Sequence, residues 1–394
     1  MRTALKKTDF LLFLMCFLVF FRYLSTVDGG FGDFRIYKRA IFDHLHGESA
    51  YRTDVQQHLF IYNPIVLHFL AFIESFLSIT VFLGGFYLLT SLGFYAEIYK
   101  CFQLLHTKNT QPDRNKSLDF IVIFVSALAF GDIGIGCFVT GNLTLYLHFA
   151  LIAVLLKFCR TGFPVYSYAF IGLVIVFSVI KPYFLTYMAV LFLIYKSKKN
   201  SLITAFIMIA LFSIAWIASM QFFPEEYQAF LAALNKQTLT GHDIGYSFFA
   251  VFKKAGMSDL LSLAIHALIS VLLLIIAGLY LPKAYGFVDN LYARLFILYP
   301  VLTLINPRMK EYDLYPALIC FLIFLYQVTE KDKRIMLAGL LVSLVPVISS
   351  AVNDAGINLP MFLLQNHTWQ LLGLGTMAMA LAGYEFSRKK LAEH

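Results

Sequence analysis

Runs such as 201–221, SLITAFIMIALFSIAWIASMQ, carry no charge over the length that hydrocarbon requires, and they constrain this chain more than any other feature. One crossing takes about 20 apolar residues, so after loops are subtracted the chain holds roughly ten to thirteen such helices. Lipid offers no partners to backbone N–H and C=O groups, and a helix pairs all of them within one segment. The expected fold is therefore an all-α polytopic membrane protein. Composition agrees: of 394 residues 60% are hydrophobic and 14% charged, against about one quarter charged in soluble domains. The longest polar intervals, 28–62 and 222–258, are each too short to bury a core of their own. Residues 1–394 are thus read as one integral membrane domain, with those intervals as its first and second larger extracytoplasmic loops.

The formal charge of +8 does not point to nucleic acid, because the basic residues fall in short clusters between apolar runs, where they act as topology signals. Cys16, Cys101, Cys137, Cys159 and Cys320 lie singly, with no CxxC, so neither a disulfide framework nor a metal site is read from them. Arg22, late in the first apolar run, and the lack of a small-residue cleavage site favour a retained first helix over a signal peptide.

Lys6 and Lys7 precede a span over 10–27, which places the N-terminus in the cytoplasm and 28–62 outside. The interval 63–105 suits two helices, a short one to Phe76 and a full span from about Thr80 to Tyr99, one of them re-entrant or interfacial. Further spans are expected near 118–138, 142–158, 165–180, 183–195, 201–221, 259–281, 291–305, 312–328, 335–352 and 367–384. The cytoplasmic connections then hold Lys157 and Arg160; Lys196, Lys198 and Lys199; Lys283; Lys331, Lys333 and Arg334; and Arg388, Lys389 and Lys390. The total comes to about twelve crossings with both termini cytoplasmic. The unusual polar groups all collect on the external face, including the Gly-rich break from Asp132 to Asn142, Lys181, and the loop Asn306 to Asp313.

Asp33, six residues past the first span, is a carboxylate at the membrane edge that can take a proton from a hydroxyl; it also suits an interfacial acid paired with Arg35 or Arg39. Lys181 ends an apolar run before Pro182, where an ammonium can bind phosphate or simply snorkel to the interface. Arg308 and Lys310 place two cations on the face that topology rules keep poor in them, which suits a lipid phosphate, with Glu311 or Asp313 to orient them. Asn142 closes a Gly-rich break that matches no phosphate-cradling fingerprint. His44, His46 and His58 share the first loop, but their spacing fits no metal-ligand pattern. The 23 tyrosines and 41 phenylalanines are read mostly as lipid-facing or belt residues, with Tyr37, Tyr51 and Tyr62 suited to stacking on a sugar ring.

Asp33 with Tyr37 four residues on, then Gly47 and Tyr51, Tyr62-Asn63-Pro64, Gly141-Asn142-Leu143-Thr144, Lys181-Pro182 and Asn306 to Tyr312 follow a recognisable order. In that order the chain resembles the GT-C superfold of polytopic glycosyltransferases, and most closely glycosyltransferase family 87. Two positions depart from the family pattern: asparagine stands for glutamine in the break, and Arg308, Lys310 and Glu311 stand in a late loop that lacks the family's histidine. The resemblance implies a GT-C-like bundle of about 11–13 transmembrane helices with a catalytic first extracytoplasmic loop. It implies inverting transfer of one sugar, hexose or pentose, from a polyprenyl-phosphate donor to a glycan or glycolipid acceptor. Asp33 would be the base; Lys181, Arg308 and Lys310 would hold the donor phosphate. Arg35, Tyr37, Tyr62, Asn142, Glu311 and Tyr312 would bind substrate. No metal and no cofactor are implied, and the expected setting is a bacterial inner membrane with the site facing outward, among membrane lipid. A lipid or polysaccharide-repeat flippase is the competing class; against it, no inverted halves are visible in the sequence.

Overall fold

The structure is a computed structural model that describes residues 32–51, 59–106, 120, 123–124, 127, 136–195, 197–237, 245–283 and 291–329. Among these every regular element is helical. The expected spans over 10–27, 335–352 and 367–384, and Asp132 and His58, lie outside the described residues. The chain divides into two compact units.

The first unit begins with α1, Gly32–Leu45, inside the interval read from sequence as a loop. Its pattern explains the helix. Tyr37, Ala40, Ile41 and Asp43 are buried, while Arg35, Lys38 and Arg39 are exposed, which makes one face apolar and the other basic. α2, Pro64–Glu74, starts on Asn63, whose Oδ1 accepts from the Ile65 N–H at 3.0 Å, with Pro64 pre-set for the first turn. At 11 residues it is about 16 Å long, half the thickness of the hydrocarbon, so it does not cross. α3, Ile79–His106, follows after a tight turn closed by Glu74 accepting from the Ile79 N–H. The short helix and the full span expected over 63–105 are both present.

A one-turn α4, Cys137–Thr140, leads into α5, Leu143–Thr161. α5 ends at Gly162, whose φ of 70° is the left-handed conformation a helix stop requires, and α6, Pro164–Ile180, runs back against it. Beyond α6 comes a correction. The span expected over 183–195 is a 3-10 helix, Pro182–Val190, followed by a single turn, α7, Leu191–Ile194. Together they reach about 24 Å, short of the hydrocarbon's roughly 30 Å. Pro182 lacks the N–H that would continue α6, and the tighter segment folds back on it through Phe184 against Phe177. α8, Lys198–Phe222, and α9, Pro224–Asn235, complete the unit. The two are locked at their junction by Trp216 against Tyr227 and Phe230.

In the second unit are α10, Phe248–Lys254; α11, Asp259–Lys283; α12, Leu291–Leu304; and α13, Glu311–Thr329. α12 and α13 form a hairpin. Its connection is packed inward: Met309 is fully buried, Asn306 Oδ1 accepts from the Arg308 N–H at 3.0 Å, and Asp313 Oδ2 accepts from the Lys310 N–H at 2.8 Å.

Among the described residues, three helices are long and apolar enough to cross a membrane: Ile79–Leu104, Leu143–Thr161 and Lys198–Phe222. The last, with mean hydropathy 2.3 over its most apolar stretch, is only 17% buried there. Leu202, Phe206, Ile214 and Phe222 stand exposed along it. An apolar patch of that extent is stable only under lipid or a partner, and the length of all three helices matches lipid. This is a membrane protein.

Candidate functional site

The break before α5 is built by two adjacent residues. Gly141 ends α4 with a φ of 61°, which suits a residue without Cβ, and Asn142 then restarts the helix. The Asn142 Oδ1 accepts from the Thr144 N–H at 2.9 Å, so one end of its amide caps α5. The other end is then available as a donor, and Asn142 Nδ2 donates to Asp33 Oδ2 across 109 residues of sequence. Asp33 sits half-buried in the first turn of α1, where the unpaired N–H groups of a helix favour a negative charge.

Tyrosines form the wall behind this pair. One turn past Asp33, the Tyr37 hydroxyl accepts from the Leu143 N–H at 3.0 Å and shares a hydrogen bond with the Tyr62 hydroxyl at 3.1 Å. Tyr51 donates to the Tyr62 carbonyl at 2.8 Å, and Tyr87 on α3 donates to the Gly141 carbonyl at 2.9 Å. Burial pushes the Tyr37 phenol well above its ordinary range, with Tyr62, Tyr87 and Asp33 adding to the shift. Burial also raises Tyr62, and Asp33 raises it further. These phenols keep their protons at any physiological pH. In this group the side chain equipped to take a proton is the Asp33 carboxylate.

Lys181 reaches the same region through helix geometry. α5 and α6 are antiparallel neighbours joined at Gly162–Phe163, so the start of α5 and the end of α6 lie at one end of the hairpin. Asn142 is the residue before α5, and Lys181 is the residue after α6. Two residues on, the Tyr183 hydroxyl meets His148 Nε2 of α5 at 3.2 Å and ties the 3-10 segment to that helix. Asp33, Asn142 and Lys181 therefore belong to one end of the first unit.

Other residues singled out in the sequence take different places. Arg35 is exposed, two positions from Asp33 and about 200° around the helix, away from the Asp33–Tyr37 face. The Tyr37 and Tyr62 rings are 1% and 5% exposed, so they support the site from behind rather than offering a face to a sugar. Arg308, Lys310, Glu311 and Tyr312 are gathered in the second unit. There Tyr312 is buried, the other three are half-buried, and Glu311 opens α13.

Tyr87, Tyr146 and the Gly141 carbonyl are additions that sequence reasoning passed over. Not every tyrosine in the apolar runs faces lipid: Tyr87, Tyr95, Tyr146, Tyr187, Tyr299 and Tyr315 are fully buried. Interior partners account for part of this, since the Tyr87 hydroxyl finds a carbonyl and its ring stacks on Tyr146 at 3.6 Å. A tyrosine seven residues into an apolar span was the available signal.

No protein-family model matches the chain, and no curated protein matches it significantly.

Proposed function

We propose that the chain is a multi-pass inverting glycosyltransferase of the GT-C kind in a bacterial inner membrane. It moves one hexose or pentose from a polyprenyl-phosphate donor to a glycan or glycolipid hydroxyl on the extracytoplasmic face. The observation that carries this reading is the Asp33–Asn142 pair. Two positions drawn from separate motifs of the resemblance meet in one hydrogen bond, at the end of the unit that also holds Lys181.

In this reading the acceptor hydroxyl attacks the anomeric carbon opposite the phosphate while Asp33 takes its proton. The C–O bond to phosphate breaks, and both electrons leave with the polyprenyl phosphate. Asn142 positions the carboxylate by donating to one of its oxygens. The leaving group is already a stable anion, so no general acid is required, and an ammonium at Lys181 stabilises the charge that grows on the bridging oxygen.

The test uses full-length protein in lipid nanodiscs, radiolabelled polyprenyl-phosphate sugars and a membrane lipid extract as acceptor, with Asp33→Asn alongside. Transfer by the wild type, reduced at least about 100-fold in the variant, supports the reading. Equal transfer by both removes Asp33 as the base. Neither donor binding nor transfer by well-folded wild type overturns the enzyme and returns the weight to a transporter.

A further inference from the structure

At the opposite end of α1 from Asp33, three side chains from three helices converge. His44 lies in the last turn of α1, His68 on α2, and Glu226 in the first turn of α9. The His44 Nδ1 lies 3.2 Å from Glu226 Oε1, and His68 Nε2 lies 2.8 Å from Glu226 Oε2. The two imidazoles stand edge to face at 4.5 Å, and His68 is stacked on Phe223 at 4.0 Å, which limits the rotation of its ring. One ligand atom from each of the three lies within 4.8 Å of the others.

We infer that His44, His68 and Glu226 form a binding site for one divalent first-row transition ion, zinc by preference, that clips α1 to α2 and α9. Two imidazole nitrogens and one carboxylate oxygen are a borderline donor set, which suits zinc and its neighbours and not magnesium or calcium, whose sites are built from oxygen. Donor atoms on one tetrahedral ion, bound at about 2.0–2.2 Å, stand about 3.3 Å apart. The present spread closes by small side-chain rotations. Access is open, because the side chains of His44, His68 and Glu226 are 19%, 34% and 32% exposed. Three protein ligands leave the fourth position for water.

The ion would hold the fold rather than take part in sugar transfer. His44 is eleven residues from Asp33 along one helix, about 16 Å, so the ion does not touch atoms reacting at Asp33. It would join three helices: a basic-faced one, a short non-crossing one and the one that leaves α8.

The experiment uses the full chain with an affinity tag free of histidine. Zinc bound after purification and desalting is counted by mass spectrometry in wild type, His68→Gln and Glu226→Gln. Wild type should hold about one zinc per chain, and each variant less than about a fifth of that. Chelator-stripped wild type titrated with Co2+ should develop visible tetrahedral absorption that saturates near one equivalent and is lost on adding Zn2+, but not on adding Mg2+. Zinc should also raise the thermal midpoint of wild type by a few degrees and leave both variants unmoved. Wild type with no more zinc than the variants, or no cobalt band, overturns the site and leaves a carboxylate hydrogen-bonded to two imidazoles. The cobalt titration requires only wild type, so it decides the matter even if a variant fails to fold.

Discussion

The two ends of α5 each carry a carboxylate from another helix, and they treat it differently. At the far end, Glu97 of α3 is nearly buried and gripped by cations. Arg160 donates through Nε at 3.0 Å and through its other arm at 3.1 Å, and the Lys100 ammonium lies 3.0 Å away. At the near end, Asp33 is half-buried and accepts a hydrogen bond from the neutral amide of Asn142, with buried phenols behind. A forked guanidinium spends a carboxylate's charge on holding helices together, whereas an amide donor orients a carboxylate without neutralising it. The first arrangement is a clamp. The second, in the proposed reading, leaves a base.

The sharpest break of this contrast is Asp33→Asn, which should cut transfer by about 10²–10⁴ with little change in the thermal midpoint. A large loss of stability instead would make Asp33 a second clamp. Next comes Arg160→Ala, which strands Glu97 in a nearly buried position. The cost should be about 1–3 kcal/mol, discounted for the partial exposure of Arg160, read as a lower unfolding midpoint with activity per folded molecule unchanged.

Asn142 separates its two duties. Asn142→Ala loses the cap, worth about 1 kcal/mol, together with the donor to Asp33. Asn142→Asp keeps the cap but sets two carboxylates against each other, so stability should fall through their repulsion rather than through a lost cap, and transfer should fall at least about 10-fold. Equal transfer in Asn142→Asp and wild type would end the positioning role. Lys181→Gln should raise the apparent KM for donor a few-fold and barely move kcat; an unchanged KM removes Lys181 from the phosphate.

The smallest expected effect is alkaline. Burial raises Tyr37 and Tyr62 above the ordinary phenol value of 10.0, so the folded state holds these protons more tightly than the unfolded chain. Their contribution to stability is fully present below about pH 10 and is lost as pH rises beyond it. Thermal midpoints measured from pH 9 upward should fall more steeply for wild type than for Tyr37→Phe.

The membrane setting, the helical class, the short helix before the span over 79–106 and the helix starts at Asn63 and Asn142 were legible in the sequence. All are local: charge-free length and a capping side chain act on their own segment. Asp33 and Lys181 could be named as candidates for the same reason, a charge where hydrocarbon ends, whereas Asn142 entered through the motif that resembles the family's. The helix inside 32–45 was read as a loop because its charge density outweighed the short apolar stripe of Tyr37, Ala40 and Ile41, which does carry helical spacing. The 3-10 turn over 182–190 was hidden because hydropathy does not report backbone pitch. Only the tertiary structure decided that the Asp33 carboxylate meets the Asn142 amide, that Tyr87 donates to Gly141, and that His44, His68 and Glu226 share a corner. Some of those contacts join residues 158 positions apart and farther, and no local pattern encodes them; they exist because packing of the helices brings distant side chains to the same place.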